Sequence, residues 1–303
     1  MQQRSITLPE PLNREAVDWN DVWDHRMLAC QSANSGKAGD TRWQSREKAL
    51  AYWQMATSTQ QDRIEKTLSE LPLTPESRVL DIGAGPGVLT IPLARRVSHV
   101  TAVDASEGMI SVLKQKAACA GVKNIDCLCR RWEAVDRDRD LAGPYDVVIA
   151  SLCLTMFDLQ SAVSKMEQVC QGHIFLYWFL GETGWEDRRR AFEPFAPGIG
   201  GSSTMPKSEI LLNVLRQKGI FPEMEIFPYV HIDRFDSIDA AVNYFVKRFG
   251  IPPANQTATL RTCVRDLLEA RDNAYSLRSE AECMKIWWRV ARQFNAERKI
   301  LWN

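Results

Sequence analysis

The chain has 303 residues, 45% of them hydrophobic and 25% charged, and its 38 basic and 38 acidic side chains give a formal net charge of zero. These values are ordinary for a globular protein of one large or two smaller domains, and they give no support to binding driven by attraction to nucleic acid or an acidic membrane. No apolar run approaches the roughly 20 residues of a membrane helix, and the amino terminus lacks the apolar core of a signal peptide. Eight scattered cysteines fit reduced thiols, so we expect a cytoplasmic protein.

Residues 1–75 carry helical patterns and no strand pattern. Trp19, Trp23 and Met27 recur every four residues after Asp18, so they share one face of a helix that Asp18 can cap. Because an amphipathic face must be buried, we expect this segment to pack against the rest of the chain. Two more helices are predicted over about 41–56 and 58–71.

Strand and helix patterns alternate from residue 78 to about residue 180, the order typical of an α/β layer with right-handed crossovers. The carboxyl-terminal part adds a helix, a strand, two strongly amphipathic helices and a β-rich segment. The predicted strands are 78–82, 99–104, 124–129, 145–151, 173–179, 222–234 and 284–291, and the predicted helices are 87–96, 106–120, 159–170, 207–218, 237–249 and 256–271.

A glycine-rich stretch follows the first predicted strand. Asp81 stands within an apolar run, and Gly83, Gly85 and Gly87 then occupy alternate positions. Glycine permits positive φ and lets a ligand approach the backbone closely, and the helix that follows offers free N–H groups to an anion. The pattern therefore predicts a strand, a tight ligand-binding turn and the first turn of a helix.

The second predicted strand ends in Asp104. An acid at this point of a nucleoside-binding α/β fold can accept hydrogen bonds from both hydroxyls of a ribose. The alternative is that Asp104 caps the next helix, together with Ser106 and Glu107.

The spacing Asp-x-Gly-x-Gly-x-Gly at 81–87 resembles the first motif of the class I S-adenosylmethionine-dependent methyltransferases. It differs from the dinucleotide pattern Gly-x-Gly-x-x-Gly, since Val88 stands where the third glycine would be. The strand 145–154 is similar to a later motif of that family, and its carboxyl end at Ser151 would face the methyl-transfer centre. The resemblance covers residues 78–180 closely, and 207–234 and 283–292 more loosely.

The resemblance also implies which residues bind the cofactor. In that family the loop after the third strand supplies an acid for the adenine amino group and a backbone N–H for the ring; here Arg131 occupies the usual place of the acid. Adenine contact through Trp132 and Glu133 is one interpretation, and a surface loop anchored by Trp132 is the other. The residues predicted to bind S-adenosylmethionine are Asp81, Gly83, Gly85, Gly87, Asp104, Trp132, Glu133 and Ser151, with no metal site and no residue identified as a catalytic base.

The fold implied is α/β: a seven-stranded, mostly parallel sheet of methyltransferase type, with strand order 3-2-1-4-5-7-6 and the seventh strand antiparallel. Two parts exceed the minimal fold, namely the amino-terminal helices of residues 1–75 and a helix pair inserted at about 236–272 in a methyltransferase domain of residues 76–303. We expect both to pack together over the carboxyl edge of the sheet as a cap that encloses the substrate.

These observations favour methyl transfer to a small-molecule acceptor by in-line displacement. The Asn-Pro-Pro-Tyr type signature of nucleic-acid amino-methyltransferases is missing after the fourth strand, and the charge balance argues against nucleic acid as a partner. Three alternatives stay open. The first is an RNA or protein methyltransferase, which a basic groove around Arg188–Arg190 would favour. The second is a nicotinamide-dependent dehydrogenase, which the glycine spacing opposes, and the third is a non-catalytic S-adenosylmethionine-binding protein. The acceptor, the attacking atom and the oligomeric state have no signal in the sequence.

Overall fold

The structure, a computed structural model, describes residues 17–34, 43–199, 205–271 and 274–290. Predictions for the other residues, including the amino-terminal part of the 1–75 segment, lie outside the described residues. The helices are α1 Trp19–Asn34, α2 Arg46–Thr59, α3 Gln61–Glu70, α4 Thr90–Ala94, α5 Glu107–Cys119, α6 Arg137–Asp140, α7 Leu159–Val169, α8 Gly184–Asp187, α9 Arg189–Phe192, α10 Ser208–Gln217, α11 Ile238–Phe249 and α12 Ala258–Asp266. The strands are β1 Arg78–Ile82, β2 His99–Asp104, β3 Ile125–Cys129, β4 Tyr145–Ser151, β5 Cys170–Leu180, β6 Glu223–Phe235, β7 Glu269–Arg271 and β8 Ala274–Arg289.

The strands of the described residues form one sheet in the order β3-β2-β1-β4-β5-β8-β6, with β7 paired to β8 beside this path. Neighbouring strands among β1 to β5 run parallel, whereas β8 is antiparallel to both β5 and β6. The predicted α/β fold and its strand order are therefore confirmed, with β8 in the place of the seventh strand. The order reverses between β1 and β4, and in open α/β sheets ligands bind at the carboxyl ends of the strands at such a point.

One predicted helix is too long. The amphipathic pattern at 256–271 predicts a single helix, but α12 ends at Asp266 and β7 follows at Glu269. The three residues of β7 pair with the start of β8, where Ala270 lies opposite Tyr275. Pairing with a neighbouring strand therefore overrides the helical pattern in this short segment.

The last two long strands extend beyond the carboxyl edge of the sheet. Pairing between β5 and β8 stops at Leu180 opposite Glu282, whereas pairing between β6 and β8 continues to Phe235 opposite Tyr275. On this extension α11 and α12 bury a cluster of their own, which includes Phe192, Phe235, Phe245, Leu260 and Leu277. The inserted helix pair therefore lies at the carboxyl edge, on the β6–β8 side of the sheet.

The amino-terminal helices contact other parts of the fold. Helix α1 packs against α7 and α10, and α2 packs against α5 and β6. Trp23 of α1 is fully buried, donates its indole N–H to the Met156 carbonyl at 2.9 Å, and has its ring 6.3 Å from that of Trp178. Asp18 accepts the backbone N–H groups of Asn20 and Asp21, as expected of a cap. The apolar faces of α1–α3 and of α11–α12 belong to separate clusters, so their packing into one cap stays a prediction.

Replacing Trp23 with Ala removes a fully buried ring and its hydrogen bond, and we expect a loss of about 3–5 kcal/mol in the free energy of unfolding. Urea denaturation followed by circular dichroism measures it. The matched control is Phe221→Ala, since this ring is 82% exposed and its loss is expected to change stability by no more than about 0.5 kcal/mol. Equal effects of the two substitutions would show that α1 is not docked through Trp23.

Candidate active site

The glycine-rich turn between β1 and α4 adopts the backbone that its residues predict. Gly83, Gly85 and Gly87 have φ values of 68°, 56° and 92°, in the left-handed region that favours glycine. The N–H groups of Gly83 and Ala84 both donate to the Val103 carbonyl of β2, at 2.7 and 3.0 Å. The turn is therefore held against the carboxyl end of β2.

The three glycines meet different surroundings. A Cβ on Gly83 would lie 2.3 Å from the Cβ of Cys153, and one on Gly87 would lie 2.9 Å from Leu113 of α5. At Gly85 a Cβ would meet no atom within 4 Å. Two glycines therefore allow close packing within the protein, while Gly85 presents bare backbone to open space, as a cradle for a ligand requires.

Asp104 lies beside this open space. Its two carboxylate oxygens accept the N–H groups of Gly85 and Ser106, each at 2.8 Å. Burial raises the pKa of Asp104, and these two hydrogen bonds oppose that rise. The residue that caps the N-terminus of α5 is Ser106, whose hydroxyl accepts the Met109 N–H. The side chain of Asp104 does not cap this helix itself. A carboxylate has about four acceptor positions, so Asp104 keeps capacity for two hydroxyl donors such as those of a ribose.

Asp81 lies below the turn. Its side chain is 2% exposed and accepts a 2.6 Å hydrogen bond from the hydroxyl of Thr90 in α4. Burial raises the pKa of Asp81 to about 7, the hydrogen bond from Thr90 opposes the rise, and the negative charge of Asp104 adds to it. Asp81 therefore joins β1 to α4, and its predicted direct contact with a cofactor stays a prediction.

The loop after β3 places Trp132 in the core. Its ring is 3% exposed, its indole N–H donates to the Ala162 carbonyl of α7 at 3.1 Å, and Lys165 lies 5.2 Å from the ring centroid. This arrangement favours the interpretation of Trp132 as an anchor of the loop on α7, and adenine contact through Trp132 stays a prediction. Glu133 is exposed, and adenine binding by Glu133 or by the backbone of this loop stays a prediction.

The chain beyond β4 approaches the glycine turn closely. Ser151 ends the strand, Leu152 has a positive φ of 58°, and Cys153 then lies against Gly83 with its Sγ 2.9 Å from the Ile82 carbonyl. Burial raises the pKa of the Cys153 thiol well above its ordinary value, so the thiol is protonated at neutral pH and can donate to that carbonyl. Ser151 lies at the carboxyl end of β4 as expected, but no sequence pattern predicted the contact made by Cys153.

Side chains from the α2–α3 junction reach the same edge. Gln60 donates to the Tyr229 hydroxyl at 2.9 Å, and Arg63 approaches the Ser151 hydroxyl at 3.4 Å and the Tyr229 ring at 5.9 Å. At the other end of α2, the Ser106 hydroxyl donates to the Trp43 carbonyl at 2.7 Å. No sequence pattern pointed to Gln60, Arg63 or Tyr229, because their proximity depends on contacts between distant parts of the chain.

Comparison with known proteins agrees with this geometry. Residues 79–172, which run from β1 to β5 and include the turn, Asp104 and the end of β4, match the family described as "Methyltransferase domain". The chain therefore carries a methyltransferase domain, and its strand order and glycine turn are similar to those of the class I S-adenosylmethionine-dependent methyltransferases. Its cofactor is S-adenosylmethionine, and the open backbone at Gly85 beside the Asp104 carboxylate fits a nucleoside.

Several curated proteins are similar to this methyltransferase. An uncharacterized protein of Haemophilus influenzae is 27% identical over 67% of this chain and 71% of its own length. A ubiquinone biosynthesis O-methyltransferase of Marinobacter nauticus is 35% identical over 33% of this chain and 42% of its own. A ribosomal RNA small subunit methyltransferase A of Salinibacter ruber is 34% identical over 28% of each chain. The chain thus spans less than half the length of these two named methyltransferases.

Solved structures also resemble the methyltransferase. A putative methyltransferase of Bacillus halodurans superimposes with a TM-score of 0.49 at 17% identity, over 76% of this chain and 100% of its own.

Within the part of the chain that the structure describes, no helix combines the length and apolarity needed to cross a membrane. The same residues contain no group of three or more His, Cys, Asp or Glu side chains placed to hold a metal ion.

Gly83→Ala tests the close approach of the turn to Cys153. The control is Gly121→Ala, because Gly121 has the same φ of 68° but open space around the added Cβ. We expect the control to lose about 1–2 kcal/mol of stability from backbone strain alone, and Gly83→Ala to lose more and also to weaken binding of S-adenosylhomocysteine. Denaturation and titration calorimetry measure both; equal losses of stability with unchanged affinity would contradict the contact.

Asp81→Asn tests the buried carboxyl. A folded-state pKa near 7, raised above the ordinary value of 3.8, means that the folded state holds more protons than the unfolded state between about pH 4 and pH 7. The contribution of Asp81 to stability is therefore full at low pH and falls as pH rises through this window. We expect the stability of wild type minus that of Asp81→Asn to fall by a few kcal/mol from pH 4.5 to pH 7.5, as measured by urea denaturation. A difference that is constant with pH would refute the raised pKa.

Proposed function

We propose that this methyltransferase transfers the methyl group of S-adenosylmethionine to a small-molecule acceptor at the carboxyl end of β4. The observation that carries the proposal is the position of Ser151 and Cys153, between the glycine turn on one side and Arg63 with Gln60 on the other. Ligands in such sheets lie at the strand ends next to the reversal of strand order, which here is the space beside Ser151.

The β1–β2 side would hold the cofactor. Asp104 would accept the ribose hydroxyls, and the open backbone at Gly85 would allow the close approach of the nucleoside. When bound, S-adenosylmethionine would supply a methyl group already activated on a sulfonium; in-line transfer of this methyl to an acceptor lone pair would break the carbon–sulfur bond and release S-adenosylhomocysteine. The protein's own part is to align the acceptor with that methyl and to exclude water.

The β4–β6 side would hold the acceptor. Desolvation of the hydroxyls raises the pKa of Tyr52 and of Tyr229, and burial raises the pKa of the Cys153 thiol, so all three groups are protonated at neutral pH. They can donate hydrogen bonds but do not act as bases there. The acceptor atom would therefore bring its own available lone pair.

A small acceptor fits the charges better than RNA does. In the loop after β5, Arg190 contacts Glu182 and Asp187, and Arg188 donates to the Arg278 carbonyl and the Ser279 hydroxyl. These guanidinium groups are committed to protein partners rather than to a phosphate backbone, and the net charge is zero. Similarity to a ubiquinone biosynthesis O-methyltransferase supports a small acceptor, whereas similarity to a ribosomal RNA methyltransferase supports the RNA alternative.

The segments outside the sheet would form the cap of this site. Trp43 contacts Ser106 at the end of β2, Gln60 contacts Tyr229 of β6, and the inserted helix pair lies beyond the carboxyl end of β5. These contacts support a division into a helical segment 1–75 and a domain 76–303 with an insertion at about 236–272. An enclosed acceptor site would exclude water from the transfer.

Asp104→Asn tests the cofactor site. The substitution removes the negative charge that would accept the ribose hydroxyls, and hydrogen bonds to charged groups contribute about 1.5–3 kcal/mol, so we expect binding of S-adenosylhomocysteine to weaken about 10- to 100-fold. Titration calorimetry measures the affinity, and Asp138→Asn is the control because Asp138 is 81% exposed on α6. Unchanged affinity in Asp104→Asn would exclude the ribose role.

The acceptor class is tested by turnover of S-adenosylmethionine to S-adenosylhomocysteine with a panel of small hydroxyl, amine and carboxylate compounds, and separately with total RNA and protein. We expect turnover with a member of the first group. Turnover with RNA or protein alone would replace the proposed acceptor class, and cofactor binding without any turnover would favour the non-catalytic alternative.

A further inference from the structure

The segment of residues 43–59, which we call the strap, crosses the carboxyl edge of the sheet next to the glycine turn. It starts at Trp43, whose carbonyl accepts the Ser106 hydroxyl at 2.7 Å just beyond β2, and it contains α2. Burial raises the pKa of Tyr52 in α2, and the nearby thiol of Cys153, just beyond β4, adds to the rise. Because β2 and β4 are the two neighbours of β1 in the sheet, the strap spans the end of β1.

A glycine in α5 makes room for the start of the strap. Gly108 lies in the first turn of α5, and a Cβ added there would overlap the Gln44 carbonyl oxygen and lie 2.9 Å from the carbonyl carbon of Ser45. Both are backbone atoms, so a larger residue at position 108 would displace the strap. Helix α5 itself gains nothing from this glycine, since glycine destabilises a helix by about 1 kcal/mol relative to alanine. Gly108 therefore serves the contact with the strap.

Hydrogen bonds hold the same end of the strap and connect it to the cofactor site. The Gln44 side-chain amide donates to the Ala105 carbonyl at 3.4 Å. Ser106 donates its hydroxyl to the Trp43 carbonyl and its backbone N–H to the Asp104 carboxylate. The acid proposed to bind the ribose is thus joined to the strap through a single residue.

The space beside the glycine turn is open but sheltered. A Cβ on Gly85 would meet no atom within 4 Å, so the described residues leave this space empty. Burial nevertheless raises the pKa of Asp104, whose carboxylate accepts the Gly85 N–H at the border of the same space. A nucleoside held by these two residues would lie beside the start of the strap.

We propose that the strap is a lid over S-adenosylmethionine and that it lifts from Gly108 each time the cofactor enters or S-adenosylhomocysteine leaves. This inference rests on the proposed cofactor site at Gly85 and Asp104 and adds a conformational step that controls exchange at that site. Movements of this kind set the rate of product release in many enzymes. The contacts at Trp43 and Gln44 would open in this step, while α5 would stay in place on the sheet.

Hydrogen–deuterium exchange of the full wild-type chain tests the lid without any substitution. We expect saturating S-adenosylhomocysteine to slow exchange of the backbone N–H groups of α2 by about 10-fold or more, because a closed lid opens less often. Helix α10 is the internal control, since it packs against α1, α7 and β5, away from the glycine turn. Equal slowing in α2 and α10 would show general stabilisation and contradict the lid.

Gly108→Ala tests the contact between the strap and α5. The added methyl displaces the strap but favours the helix, so we expect S-adenosylhomocysteine to dissociate about 10-fold faster than from the wild-type chain, with association no slower. Stopped-flow mixing measures both rates. Ser111→Ala is the matched control, because Ser111 is an exposed small residue of the same helix, and we expect it to leave both rates unchanged.

Two rate results would overturn the inference in a Gly108→Ala chain that keeps the wild-type circular dichroism spectrum. Unchanged dissociation would show that the strap does not retain the ligand, and slower association with unchanged dissociation would assign Gly108 to the cofactor site itself. If this variant does not fold, the exchange experiment on the wild-type chain decides alone. Failure of the proposed function would look different: a different acceptor class would leave both results in place, and a misplaced cofactor site would leave S-adenosylhomocysteine affinity unchanged in Asp104→Asn.

Discussion

The contact between Cys153 and the bare backbone of Gly83 is the constraint on which the site depends. It brings the end of β4 against the turn after β1, at the place where the strand order reverses. A side chain at position 83 would separate the two, since its Cβ would overlap Cys153 at 2.3 Å. The thiol also donates to the Ile82 carbonyl, so the two strand ends are joined by a hydrogen bond as well as by packing. The proposed cofactor and acceptor sites lie on either side of this contact.

A second set of contacts fixes the helix that carries Arg63. On α3, Lys66 and Glu70 join Glu225 of β6 and Lys285 of β8 in a network of ion pairs. Hydrogen bonds from Lys285 and Lys66 lower the pKa of Glu225 to about 2, so this carboxylate stays ionised at neutral pH. Lys285 is nearly buried, and a buried ion pair specifies geometry more than it adds stability. The network therefore sets the position of α3 against the antiparallel edge of the sheet.

The features that the sequence predicted correctly are local ones. The bounds of β1, β2 and β4 follow from short apolar runs, and the left-handed turn follows from its glycines. Helix α4 is shorter than the predicted 87–96, because Gly87 still has a positive φ and so belongs to the turn.

Features that depend on distant contacts were not predicted. Strand β8 begins at Ala274, ten residues before the predicted start, because its first half buries small or polar residues such as Ser279 and Ala281, which give little hydrophobic pattern. Arg63 and Tyr229 are 166 positions apart in the chain, and only the packing of α3 against β6 brings them together. An anchoring role for Trp132 was one of the two interpretations of its loop, but no property of that loop identifies α7 as the helix it contacts.

Helix α2 spans both halves of the site. At one end the residues before it bind the Ser106 hydroxyl beside Asp104, and at the other end Gln60 binds Tyr229 beside Arg63. A helix of 14 residues is about 21 Å long and behaves as a stiff rod, so it cannot shift at one end without shifting at the other. A rigid-body movement of α2 would therefore change contacts at both of its ends, next to the proposed cofactor site and next to the proposed acceptor site.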